Sequence, residues 1–191
     1  MKVTKVPRGF AVAVSGGPDS MAMLHYFHRK HVTAVIHINH GTPKAPEYEK
    51  IVTEYANSLG IVAVNVYNYD GPPGEKNWRD FRVSVFNSFP GKIATAHTLD
   101  DAVEWWLLTS LRGNPKVMPV ETENRFKPFI MARKSDLLEY CARHNVPYIV
   151  DPTNMGDYND RAKLRAIMPK LLGIYPGIHR TMELKYERVL D

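Results

Sequence analysis

With 191 residues, 44% hydrophobic and 24% charged, the chain has the size and balance of one globular domain with at most a small appendage. Its net charge of +5 mildly favours an anionic partner. No apolar run approaches the ~18 residues of a membrane span, and Met1–Pro7 carries no signal-peptide core, so no membrane partner and a cytoplasmic location are expected. The single cysteine, Cys141, excludes a disulfide scaffold or a cysteine-based zinc site. Its helical surroundings read it as a small buried hydrophobe.

Apolar runs alternate with helical patterns along the chain. Phe10–Val14 reads as a buried strand, followed by a helix over about Pro18–Lys30. Ala34–Ile38 is a second strand, and a helix over about Glu47–Leu59 stops at Gly60. Ile61–Val66 is a third strand, followed by a helix over about Glu75–Phe86. Lys92–Ala96 is a fourth strand, with a helix over Leu99–Leu111 behind it. Arg112–Lys127 reads as a long loop, a helix covers about Arg133–His144, and Val146–Val150 is a short extended piece. Asp151–Asn154 is turn chemistry, and helices over about Asp160–Leu172 and Gly177–Leu190 end the pattern. Continuously apolar strands separated by helices predict an α/β fold with a parallel sheet covered on both faces and a helical C-terminal segment. Ligands of such sheets bind at the carboxyl ends of strands.

Three stretches at such ends carry candidate chemistry. Ser15, Gly16, Gly17, Pro18, Asp19 and Ser20 follow the first strand and open a helix. Turn N–H groups and a helix N-terminus there form an anion site, the glycines admit a phosphate close to the backbone, and the serines add hydroxyls. The string is neither a Walker A loop nor a dinucleotide fingerprint. The second stretch, His37–Gly41, closes the second strand; its His and Asn can reach a nucleotide by hydrogen bonds, or simply make a strand-end turn. The third runs from Thr95 through His97 to Asp100 and Asp101 in the first turn of a helix. Two readings stand for that acidic pair: helix capping, or a carboxylate that holds Mg²⁺ or orients an amine nucleophile. Glu104 shares a helical face with Asp101. Arg79 and Arg82 lie on one helix face, and Arg161, Lys163, Arg165 and Lys170 form a second basic cluster; each reads as phosphate-binding or as a solvated surface.

The Ser15–Ser20 string resembles the pyrophosphate loop of the N-type ATP pyrophosphatases. Together with His37–Gly41, Ala96-His97, Leu99-Asp100-Asp101, Leu111-Arg112-Gly113, Lys127-Pro128-Phe129, Arg133 and Asp151–Asn154, it resembles the catalytic domain of the tRNA(Ile)-lysidine synthetase family over about residues 8–172. The resemblance implies a Rossmann-like sandwich of the adenine nucleotide alpha hydrolase type. Residues 1–172 would form the catalytic domain and 173–191 a C-terminal helix, without the tRNA-gripping C-terminal domains of family members. It implies ATP and Mg²⁺ as cofactors, and tRNA with a CAU anticodon and free L-lysine as partners; self-association is left open. Lysine would be joined to C2 of the wobble cytidine (position 34) through an adenylated base.

By the same resemblance, Ser15–Ser20, Ile38, His40 and His97 would bind ATP, and Asp19 and Asp101 would serve Mg²⁺. Asp101, Asp100 and Arg112 would be catalytic, and Arg79, Arg82, Arg161 and Arg165 would meet phosphate. Asn114–Met118, Val83 and Ala162 depart from the family pattern. The alternatives are a ligase that adenylates another acceptor, a tRNA thiolase, which would need a pair of cysteines, and a non-catalytic ATP-binding module.

Overall fold

The computed structural model describes residues 1–29, 31–150 and 160–190. Its elements in order are β1 (Phe10–Ala13), α1 (Pro18–Phe27), β2 (Val32–Asn39), α2 (Ala45–Ser58), β3 (Val64–Asn68), α3 (Glu75–Ser88), β4 (Ile93–Ala94), α4 (Leu99–Leu111), β5 (Arg125–Phe126), α5 (Lys134–His144), α6 (Asp160–Ile174) and α7 (Ile178–Leu190). The sheet is parallel throughout, in the order β3-β2-β1-β4-β5. The chain therefore winds outward from β1 to β3, then returns to the other side of β1 to build β4 and β5. That reversal places the topological switch point between β1 and β4, where doubly wound folds open a crevice for ligands.

Alternation along the strands explains the layers. Phe10, Val12, Val35 and Ala94 face a core filled by Met21, Leu24 and Phe27 of α1, Val52 of α2, and Leu137 and Cys141 of α5. Ala11, Ala34, Ile36 and Ile93 face the opposite side, where Val85 and Phe86 of α3 cover them. A third cluster lies apart from the strands: Leu99, Ala102 and Val103 of α4 pack with Leu164 and Met168 of α6 and Met182 and Tyr186 of α7. The C-terminal helices are thus a second, all-helical layer organised on α4. Among the described residues no helix is long and apolar enough to cross a membrane.

The expected sheet with both faces covered is present, with differences at the ends of elements. α1 closes at Phe27 with His28 as its C-terminal cap, short of the expected Lys30. β3 begins at Val64 because Ile61 is turned into the core beside α2, and Val62 is 90% exposed. β4 is only two residues long. The expected Arg112–Lys127 loop contains a fifth strand, β5, which pairs with β4 through Ile93–Arg125 and Ala94–Phe126. A two-residue strand carries no periodicity of its own, so only its partner defines it. Val146–Val150 does not join the sheet. The turn at Asp151–Asn154 lies outside the described residues.

Candidate functional site

Both sides of the switch point are helix N-termini. On the β1 side, Gly16 takes φ +88°, a left-handed conformation that favours glycine, and a Cβ there would lie 2.8 Å from Cδ1 of Tyr48. Gly17 caps α1 without a side-chain hydrogen bond, and Pro18 occupies the first turn. The Ser15 N–H donates to Ser20 Oγ at 3.1 Å, and Ser20 Oγ donates to the Gly17 carbonyl at 3.0 Å, which holds the loop closed on itself. From the far side, the Ile149 N–H donates to the Gly16 carbonyl at 2.9 Å. The start of α1 carries partial positive charge at the carboxyl end of β1. Asp19 projects from the same turn. Burial raises its pKa to about 6; Lys134 opposes the shift, and Asp101 and Asp100 add to it.

On the β4 side, one carboxylate does two jobs. Asp101 Oδ2 accepts from the Thr98 N–H and the Thr98 hydroxyl, both at 2.9 Å, while the Asp101 N–H donates back to Thr98 Oγ1. That is a reciprocal capping box for α4. Its other oxygen, Oδ1, accepts from Lys134 Nζ at 3.1 Å and lies 3.8 Å from a guanidinium nitrogen of Arg161 and of Arg165. Burial alone would raise the pKa of Asp101, but the Lys134 ammonium, then His97 and the Thr98 N–H, hold it far below the carboxylate range. Capping and a charged centre are therefore not alternatives here: they use different oxygens of one group.

Around Asp101 the charges interlock. Asp100 Oδ2 accepts from the Lys134 N–H at 2.8 Å, capping α5 from a neighbouring helix, and Asp100 Oδ1 lies 3.1 Å from His179 Nε2 of α7. Glu104, buried one turn further along α4, accepts from Arg161 Nε and, at 2.6 Å, from Arg165 Nε. Burial would lower the pKa of Lys134, but Asp101 and Asp19 raise it and keep the ammonium charged. Four elements, α4, α5, α6 and α7, thus supply one network at the mouth of the crevice.

The other expected site residues fall in three places. His97 stands beside Asp101, its Nδ1 3.1 Å from Thr95 Oγ1. Burial first, then the cations Lys127, Arg161 and Arg82, push its pKa down to about 4 against the pull of Asp101, so the ring is neutral at pH 7. Ile38 packs at the edge of the α3-side core. His40 sits at the end of β2 against Trp78, ring centroids 5.7 Å apart, and burial followed by Arg82 lowers its pKa to about 4. Arg79 and Arg82 lie on exposed α3 surface. Although solvent reaches Arg82, close packing around its head and repulsion from Arg161 lower its pKa, so its charge lies within reach of both the crevice and His40.

Arg161 and Arg165, expected to meet phosphate, are drawn inward onto Glu104 and Asp101, while Lys163 stays exposed. Arg112, expected at the reacting centre, closes the far end of α4, roughly 16 Å along the helix from Asp101 at 1.5 Å per residue. There it pairs with Asp160 at 2.5 Å, both side chains exposed.

Lys134 and His179 were not singled out from sequence. A lysine in the first turn of a helix opposes the helix dipole, a local conflict that marks it. His179 shares a helical face with Met182 and Tyr186, a polar residue at a core position. Among the described residues no group of three or more His, Cys, Asp or Glu could hold a metal ion. Magnesium in nucleotide sites, however, is commonly held by one or two carboxylates plus the substrate phosphates. Asp19 fits that role, a carboxylate in the crevice whose burial is incompletely offset by cations.

The profile of the PP-loop domain family matches residues 2–171. Three curated relatives are tRNA(Ile)-lysidine synthases, each 30% identical to this chain. The protein from Bacillus subtilis aligns over 94% of this chain and 44% of its own length, and that from Methylococcus capsulatus over 88% and 44%. The protein from Malacoplasma penetrans aligns over 83% and 61%. The chain therefore spans less than half of the first two relatives. Among solved structures, the U34-tRNA thiolase NcsA from Methanococcus maripaludis, solved with its [4Fe-4S] cluster, superposes with a TM-score of 0.75 at 17% identity, covering 97% of this chain and 73% of that one. It shares the fold.

Proposed function

This chain belongs to the PP-loop domain family, and from that premise we propose that it is an ATP-dependent ligase that joins L-lysine to C2 of the wobble cytidine of a CAU-anticodon tRNA. The observation that carries this reading is the pairing, across one switch point, of an open helix N-terminus at Ser15–Ser20 with the acidic first turn of α4. Similarity to the lysidine synthases supplies the acceptor and the amine.

The chemistry has two displacements. The cytosine O2 attacks the α-phosphorus of ATP, and pyrophosphate leaves. The lysine amine then adds at C2, loses its proton, and AMP leaves with the former O2. For the first step the glycine loop and the α1 N-terminus would hold the polyphosphate, their N–H groups aimed at charge that grows on the leaving pyrophosphate. Asp19 would hold Mg²⁺, whose charge screens the phosphates. For the second step, Asp101, ionised and fixed by two donors on one oxygen, would orient the neutral lysine amine and stabilise the positive charge that grows on its nitrogen as the C–N bond forms, the proton then passing to solvent. Lys134, Arg161 and Arg165 would then stand beside the departing AMP phosphate.

Sulfur transfer is disfavoured by the only thiol present. Cys141 lies under the loop with Sγ 3.6 Å from the Pro18 carbonyl, and burial, reinforced by Asp19, raises its pKa to about 11. It is 1% exposed and has no second cysteine to work with.

Incubation with ATP, Mg²⁺, L-lysine and the CAU-anticodon tRNA, followed by nucleoside mass spectrometry, should show a lysine adduct on cytidine. Pyrophosphate release with no such adduct would overturn this acceptor and point to a ligase of another substrate. ATP binding without pyrophosphate release would reduce the chain to a nucleotide-binding module.

A further inference from the structure

Lys127 is a buried cation without an anion. It is 8% exposed, and lysines are almost never buried unless paired. Its ammonium donates to the Pro119 carbonyl at 2.7 Å and pairs with no carboxylate among the described residues. An ammonium has three N–H groups, so two of them have no acceptor among those residues. Burial first, then the Arg125 guanidinium, lower its pKa to about 8, and the group is still charged at pH 7. The neighbouring cations of the crevice differ. Lys134 pairs with Asp101, and Arg161 and Arg165 pair with Glu104 and Asp101. A buried charge is costly unless it is paired, so a fold that keeps one at the edge of a ligand crevice holds it for an anion from outside.

The backbone fixes where this cation stands. Lys127 follows β5 at the carboxyl end of the sheet. Its N–H donates to the Val120 carbonyl at 2.9 Å, and its carbonyl accepts from the Ile130 N–H at 3.2 Å. The preceding carbonyl, that of Phe126, accepts from the Thr95 N–H at 2.9 Å, and Thr95 Oγ1 lies 3.1 Å from His97 Nδ1. His97 feels charges of both signs: Asp101 pulls its pKa up and Lys127 pushes it down. Lys127 and Asp101 therefore act on one neutral imidazole, the first from the end of β5 and the second from the start of α4. A free amino acid with a side-chain amine carries the complementary pair of groups, the amine at one end and the carboxylate at the other. Six bonds of about 1.5 Å separate the ends of lysine, enough to reach across an imidazole.

Resting on the ligase reading above, we propose that Lys127 receives the α-carboxylate of the amino-acid substrate whose side-chain amine lies at Asp101. Phosphate is the less fitting anion, because the glycine loop already offers it backbone N–H groups on β1, two strands away from β5. Lys127 thereby restricts the amine to amino acids. A simple diamine lacks the carboxylate and leaves the buried ammonium unpaired.

The test compares L-lysine with cadaverine, the same amine without the carboxylate. Binding of each is measured by calorimetry to the whole chain with Mg²⁺ and a non-hydrolysable ATP analogue, for the parent, Lys127→Met and Lys127→Arg. The parent should bind lysine at least about tenfold tighter than cadaverine, the scale of a hydrogen bond to a charged group. Lys127→Met should lose that preference while binding cadaverine as the parent does, and Lys127→Arg should restore most of it. In turnover, Lys127→Met should raise KM for lysine and leave kcat within about threefold. Should Lys127→Met fail to fold by circular dichroism, Lys127→Gln is read in its place. Equal binding of the two amines by the parent, or binding of neither, overturns the proposal, as does a lysine affinity within twofold of the parent in a folded variant. Equal weakening of both amines reduces Lys127 to a brace for the Pro119 loop and also overturns it. If the variant spares lysine and weakens the ATP analogue, the anion is a phosphate and the proposal falls. Absence of lysidine product from a parent whose lysine binding depends on Lys127 would sink the ligase reading and leave this carboxylate site standing.

Discussion

The two halves of the crevice are built in opposite ways. The loop between β1 and α1 is contiguous: six successive residues make it, and its donors belong mostly to the backbone. The charged centre on α4 is assembled from side chains of four helices, with Asp100, Asp101 and Glu104 on one and Lys134, Arg161, Arg165 and His179 on the other three. A backbone site fails when a Cβ intrudes. A side-chain network fails when one charge loses its counterpart, and the failure spreads to every helix tied to it.

The largest expected effect falls on the loop. Gly16→Val places a branched side chain where φ is +88° and Tyr48 already stands. ATP affinity should fall beyond detection by calorimetry while the far-ultraviolet spectrum stays that of the parent. Retained affinity in the folded variant would mean that the backbone of this turn is not the phosphate site.

The matching break in the network is Glu104→Ala. It removes the nearest carboxylate from two arginines at the junction of α4 and α6, which keep only the more distant Asp101 among the ion pairs described, and breaking a buried pair from one side costs about 3–5 kcal/mol. Denaturant unfolding should show a loss of that order, toward its lower end because both arginines are partly exposed. A loss under about 1 kcal/mol would show the network to be a surface feature.

Asp101→Asn separates the two roles of that residue. The amide oxygen can still accept from Thr98, so the cap survives, but the amide nitrogen now faces Lys134, Arg161 and Arg165 and the lost charge costs about 3 kcal/mol of stability. Turnover should drop by ~10²-fold. Early melting with unchanged specific activity would leave only the cap.

Asp19→Asn gives the smallest and most pH-dependent change. Its folded pKa of about 6 lies above the ordinary 3.8, so between those values the folded state binds the extra proton, and ionising Asp19 costs stability as pH rises through 6. The asparagine variant should equal the parent near pH 3.5 and exceed it by roughly 2 kcal/mol at pH 7, less than the full shift implies because the site is partly hydrated. Mg²⁺-ATP binding should weaken in the same variant at pH 7. If the stability difference between variant and parent stays flat with pH, Asp19 is not the strained group.

The same contrast decides what could be read from sequence. Residues Phe10–Ser20 announce themselves, because strand, glycine turn and helix start are local signals. Leu99–Leu111 was legible, since Thr98 and Asp101, three residues apart, form the capping pair that opens the helix. β5 was not, because two residues form a strand only when Ile93 and Ala94 lie beside them. Likewise the inward turn of Arg161 and Arg165 depends on where α6 docks, and a cluster of basic residues looks the same in sequence whether it faces water or Glu104.

The hydrogen bond from Ile149 to the Gly16 carbonyl has a consequence for direction. A trans peptide is planar, with its oxygen and its hydrogen on opposite sides, and no cis bond occurs among the described residues. The Gly16 oxygen, held by Ile149, and the Gly17 N–H, which reaches Ser15 Oγ at 3.5 Å, therefore lie on opposite sides of one plane. The segment after α5, remote in sequence, acts as a latch on the orientation of that one plane. Were the latch released, a half-rotation of the plane would exchange the positions of the Gly16 oxygen and the Gly17 N–H and break the contact with Ser15 Oγ.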